Sequence, residues 1–106
     1  MDKWVIDEES KTEVFNTIKG DSTLVKKWVS FESDVTNNPY FHPKAKRIEK
    51  LKGKTSFPYG SYRYKKEPLR VVYIPEGSTK IIYPLEAATS TSTSTSISYK
   101  KRTKGK

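Results

Sequence analysis

Residues 62–73, Tyr-Arg-Tyr-Lys-Lys-Glu-Pro-Leu-Arg-Val-Val-Tyr, restrict this chain's fold more than any other stretch. Two strand-like runs flank a two-residue turn at Glu67-Pro68, which leaves an antiparallel hairpin as the simplest fold. Successive strand side chains point to opposite faces, so Tyr62 and Tyr64 share one face while Arg63 and Lys65 share the other. Arg70 is expected near that cationic pair after the turn. A third run near 79–85, reached through a short turn at Glu76-Gly77, extends the hairpin into a three-stranded meander. Three permanent positive charges on one face are costly unless an anion sits there, and phosphate is the usual one; a solvated strand face is the plainer alternative.

The segment before the hairpin reads as helical. Trp4-Val5-Ile6 is a short strand candidate, and Ser10 with Glu13 three residues on predicts a capped helix start. Val14, Phe15 and Ile18 form its apolar stripe, and Gly20 is its expected stop. A second helix opens at Asp21 or Ser22, with Leu24, Val25, Trp28, Val29 and Val35 at helical spacing, and Asn37-Asn38-Pro39 ends it. The link at Gly20-Asp21 is so short that the helices must form an antiparallel hairpin. The expected fold is therefore α+β: an N-terminal strand and a helical hairpin packed on a three- to four-stranded antiparallel sheet. Residues 40–60 read as an irregular connection.

With 106 residues, the chain has room for one modest core. Residues 1–99 are expected to be the domain and 100–106 a basic tail. Lys and Arg number 21 against 12 acids, a net +9, and the excess is uneven. Residues 1–43 hold five lysines against eight acids, a net −3, whereas residues 44–106 carry +12. A phosphate polymer or an acidic protein is the natural partner of such a surface. No basic amphipathic helix points to a membrane. Residues 44–54 alone carry six cations and one acid. Their Lys44, Lys46, Arg47, Lys50, Lys52 and Lys54, with Lys100, Lys101 and Arg102 of the tail, read as RNA-phosphate contacts, which give salt-dependent affinity without sequence information.

Absent cysteine removes disulfides, thiolate metal sites and a cysteine nucleophile. The single histidine, His42, excludes a two-histidine nuclease and any metal site needing several imidazoles, and it reads as a turn residue. No metal or cofactor is expected. The start Met1-Asp2-Lys3-Trp4 lacks an apolar stretch, so a cytoplasmic protein is the expectation.

The order of motifs then matters: Asn38-Pro39 with His42-Pro43, Lys50-Leu51-Lys52-Gly53, Tyr62-Arg63-Tyr64-Lys65, Leu69-Arg70-Val71-Val72-Tyr73, and finally Tyr99. Over roughly residues 3–102 this succession resembles the RelE/ParE superfamily of small toxins. The resemblance implies a toxin of a toxin–antitoxin pair that cuts messenger RNA on the ribosome, held inactive by an acidic or amphipathic antitoxin. By position it implies Arg63 and Lys65 as a basic pair on the first sheet strand, Arg70 on the next strand and Tyr99 near the C-terminus as catalytic residues. One position departs from the RNA-cutting branch. Where such members place an arginine or histidine after the strand ending here at Leu85, this chain has Ala87, Ala88 and a Ser/Thr run at 89–96. A second reading is therefore a non-catalytic relative, either a gyrase inhibitor or an RNA-binding protein that has lost cleavage. A third is an unrelated RNA-binding domain using Tyr62, Tyr64 and Tyr73 as base platforms, which requires those rings to face outward.

RNA cleavage by the neighbouring 2′-hydroxyl needs a base, charge stabilisation at phosphorus and an acid for the leaving oxygen. Lysine and tyrosine titrate near ~10 when unperturbed, so either needs cationic neighbours to act as a base at neutral pH. Lys65 between Arg63 and Arg70 has such neighbours. Lys65 or Tyr99 is then the expected proton carrier, and Arg63 and Arg70 the phosphate clamp.

Overall fold

Asp7 and Asp21 decide where the two helices begin. The computed structural model describes residues 3–51 and 57–89, and in it α1 (Glu8–Phe15) is capped by Asp7, whose carboxylate accepts from the Ser10 N–H at 2.9 Å and the Ser10 hydroxyl at 2.8 Å. Ser10 is thus a buried first-turn residue and not the expected cap. The helix ends at Phe15, and residues 16–20 continue as turns in which Ile18 is still buried. For α2 (Ser22–Asn37), Asp21 accepts from the N–H groups of Thr23 and Leu24, satisfying two donors the first turn leaves open.

The stripe that seats α2 is Leu24, Trp28, Phe31 and Val35, all buried. Phe31 did not stand out in the sequence, whereas Val29, which did, is 63% exposed. Phe15 meets Trp28 edge-on at 5.7 Å, and Lys11 pairs with Glu32 at 3.4 Å, so the helices run in opposite directions as their short link requires.

The sheet differs from expectation. It has five strands and is mixed: β1 (Val5–Ile6), β2 (Ile48–Lys50), β3 (Tyr62–Lys66), β4 (Leu69–Glu76) and β5 (Ile81–Thr89) lie in the order β1-β5-β4-β3-β2. The meander β3-β4-β5 is antiparallel as expected, but β1 pairs parallel with β5, and β2 adds a fifth strand at the far edge. Three residues in a cation run are too few to show strand alternation, which is why β2 read as irregular chain. The parallel pairing of β1 depends on where the helices return the chain, and no local pattern encodes that.

Alternation along the strands builds the core. Tyr64, Leu69, Val71, Tyr73 and Ile82 are fully buried on the face that meets the helices. A β-bulge lies opposite Val72 and Tyr73, where Val72 pairs with Glu86 and Tyr73 with Pro84. The extra residue turns both Leu85 and Glu86 away from the core before Ala87 returns to it. Among the described residues no helix is long and apolar enough to cross a membrane.

Candidate nucleic-acid interface

Cross-strand neighbours share a face, and the register pairs Lys65 with Arg70 and Arg63 with Val72. Tyr62, Tyr64 and Val71 on the intervening positions belong to the helix-covered side, so Arg63, Lys65 and Arg70 sit together on the opposite face. Each brings a carboxylate. Arg63 Nη2 lies 2.6 Å from Glu49 Oε1, its partner across β2 and β3. Lys65 Nζ lies 3.6 Å from Glu67 Oε2 in the turn. Burial pushes the Glu86 carboxyl up from its ordinary range, and the nearby Arg70 charge opposes that rise.

Three cations are thus matched by three acids, so the face is a row of charge pairs and not an uncompensated anion trap. An incoming phosphate has to compete with Glu49 and Glu67 for the same donors. Sequence reasoning missed all three acids. Glu49 was hidden with β2 and Glu86 with the bulge; Glu67, two residues from Lys65, was in plain view. On β5, Ala87 is buried and Ala88 stands opposite Arg70. Among the described residues no cation follows on β5 after Leu85.

Further cations lie beside β2. Lys44, Lys46, Arg47 and Lys50 occupy β2 and the loop before it, and the Arg47 guanidinium sits 5.9 Å from the Tyr64 ring centre. Beneath it the Tyr64 hydroxyl donates to Asp34 Oδ2 at 2.6 Å. His42 Nε2 lies 3.6 Å from the same oxygen, while its Nδ1 accepts the Lys44 N–H at 3.0 Å. With both ring nitrogens engaged, His42 fastens this loop to α2, in keeping with a turn residue. Lys52, Lys54, Tyr99, Lys100, Lys101 and Arg102, and the tail 100–106, lie outside the described residues.

The tyrosine-platform reading is overturned. Tyr64 and Tyr73 are fully buried, both packed edge-on against Phe31, and Tyr73 donates to the Pro39 carbonyl at 2.6 Å. Burial raises both hydroxyls well above the ordinary tyrosine value of 10.0, and the Asp34 carboxylate adds to the effect at Tyr64. The folded chain keeps these protons where an unfolded chain has lost them, so raising the pH favours unfolding. Stability measured by denaturant titration is expected to fall steadily above about pH 10, and the double variant Tyr64→Phe/Tyr73→Phe should flatten that decline.

A polar cavity of about 250 Å³, lined by Lys3, Ser33, Asp34, Thr36 and Asn37, opens along the last turns of α2, on the helical side and apart from the cation face. Among the described residues no group of His, Asp or Glu is arranged to hold a metal ion. No family model, curated protein or solved structure matches the chain.

Proposed function

We propose that this chain is the RelE-like toxin of a toxin–antitoxin pair and acts on messenger RNA at the ribosome, with the sheet face opposite the helices as the phosphate grip. The gathering of Arg63, Lys65 and Arg70 on the sheet face opposite the helices supports this reading. In the reaction a ribose 2′-hydroxyl attacks the adjacent phosphorus and the bond to the 5′-oxygen breaks, giving a 2′,3′-cyclic phosphate and a 5′-hydroxyl. A base takes the 2′-hydroxyl proton, and an acid returns one to the leaving oxygen. Arg63 and Arg70 offer planar donors to the non-bridging oxygens. Lys65 and Tyr99 are the candidate proton carriers. The antitoxin is an acidic or amphipathic segment that covers the basic surface, and the chain works in the cytoplasm.

A second reading, a relative that keeps the fold and has lost cleavage, draws on the acids Glu49, Glu67 and Glu86 and on the alanines at 87 and 88. The two readings share a phosphate-binding surface, and a salt titration tests it. Affinity of the purified protein for ribosomes should fall steeply with added salt, with a log–log slope of about 0.7 per phosphate contacted on a single strand. Glu49→Gln and Glu67→Gln should each tighten binding by freeing a cation. A flat titration would remove RNA from the account, and weaker binding in both variants would show that the ion pairs arrange the site instead of competing for it.

A further inference from the structure

Among the described residues all three exposed aromatic side chains, Tyr40, Phe41 and Tyr59, belong to the loops on either side of β2. Scattered apolar residues on a surface need no explanation, but Tyr59 is 89% exposed at the tip of a hydrogen-bonded turn. The Ser61 N–H and the Ser61 hydroxyl both donate to the Pro58 carbonyl, at 3.3 and 2.7 Å, closing a turn with Tyr59 at its tip. Gly60 takes φ 94° there, a left-handed conformation that side chains rarely adopt. Ser61 is fully buried, and its carbonyl accepts the Leu51 N–H at 2.9 Å, tying the turn to the end of β2. The turn backbone that carries the ring is thus already hydrogen-bonded before anything binds, which lowers the entropy lost when something stacks on it.

Its surroundings choose the occupant. Lys50 Nζ lies 5.3 Å from the Tyr59 ring centre. Lys50 pairs across the strands with Tyr62, which packs edge-on against Tyr40 at 5.4 Å. Lys44, Lys46 and Arg47 follow on the same rim, whose single acid, Glu49, is engaged by Arg63. A flat aromatic face beside a run of cations suits an unpaired base with its phosphate, whereas duplex bases stay stacked out of reach. We infer that Tyr59 is a stacking platform for one unpaired base of single-stranded RNA, with Lys50 contacting the adjoining phosphate; this rests on the RNA-directed reading above.

The test is fluorescence anisotropy of the full chain with a labelled single-stranded oligoribonucleotide across a salt series. Tyr59→Ala should weaken binding by about five- to a hundredfold without changing the salt slope, because lost stacking releases no counterions. Tyr59→Trp should retain affinity. Lys50→Gln should lower the slope by about 0.7. Tyr59 touches little of the core, so unchanged circular dichroism certifies the fold of each variant. Wild-type affinity in folded Tyr59→Ala overturns the inference and leaves this rim to a protein partner. Absence of any salt-dependent RNA binding by the wild-type chain overturns the RNA-directed reading itself, and the stacking site with it.

Discussion

Replacing Phe31 with alanine should lower the folding stability of this chain by about 3–5 kcal/mol. Phe31 is completely buried, and its ring lies 4.8, 5.3 and 5.7 Å from the ring centres of Trp28, Tyr64 and Tyr73. It is where α2 meets β3 and β4, so truncation leaves a cavity bordered by three rigid rings that cannot collapse into it. A domain of this size holds roughly 5–15 kcal/mol in total, so this single change should remove a large share of it. Denaturant titration followed by tryptophan fluorescence reads the change, since Trp28 packs against the deleted ring. Phe31→Leu should cost distinctly less because it fills most of the space. A loss below about 1 kcal/mol for the alanine variant would show that α2 is not seated on the sheet as described.

The second large effect is functional. Arg70→Ala should reduce RNA cleavage on ribosomes by about a hundred- to a thousandfold, the usual consequence of removing one donor to a developing oxyanion. Growth inhibition on induced expression should disappear with it. Arg70→Lys keeps the charge but loses the planar fork and should recover only part of the activity. Arg70 also faces the half-buried Glu86, so its loss alone can unsettle the sheet. The double variant Arg70→Ala/Glu86→Gln removes the orphaned carboxylate. It should fold like the wild-type chain and remain inactive, and recovery of activity in it would reduce Arg70 to the ion-pair partner of Glu86.

Much of the frame was legible because it is locally encoded. The two-residue turn at Glu67-Pro68, the alternation in residues 62–66 and 69–73 and the short link before Asp21 each leave one sensible arrangement, and the meander and the antiparallel helices follow. What the chain hid was non-local. β2 has a single inward apolar residue, Ile48, among cations, and it becomes a strand only because β3 offers it an edge. β1 joins β5 in parallel through hydrogen bonds such as Asp7 N–H to the Ile82 carbonyl, set by how the helices return the chain. The same limit governed the candidate site. Strand parity placed Arg63, Lys65 and Arg70 on one face, but Glu49 arrives from the unrecognised strand and Glu86 through the bulge. Read without its acids, that face was open between a phosphate site and a solvated strand face; with them it is a set of charge pairs. Phe31 was passed over for a related reason, since Val29 fits the same helical spacing and only the placement of the sheet decides between them.

The central claim, cleavage of messenger RNA by the face that carries Arg63, Lys65 and Arg70, is tested most directly by mapping messenger RNA 5′ ends on translating ribosomes after induced expression. Wild-type chain should generate new 5′-hydroxyl ends within coding sequence, in register with the ribosomal decoding site, and Arg63→Ala and Arg70→Ala should not. Ribosome-bound messages that stay uncut while growth still stops would contradict cleavage and leave the non-catalytic relative as the account of this fold.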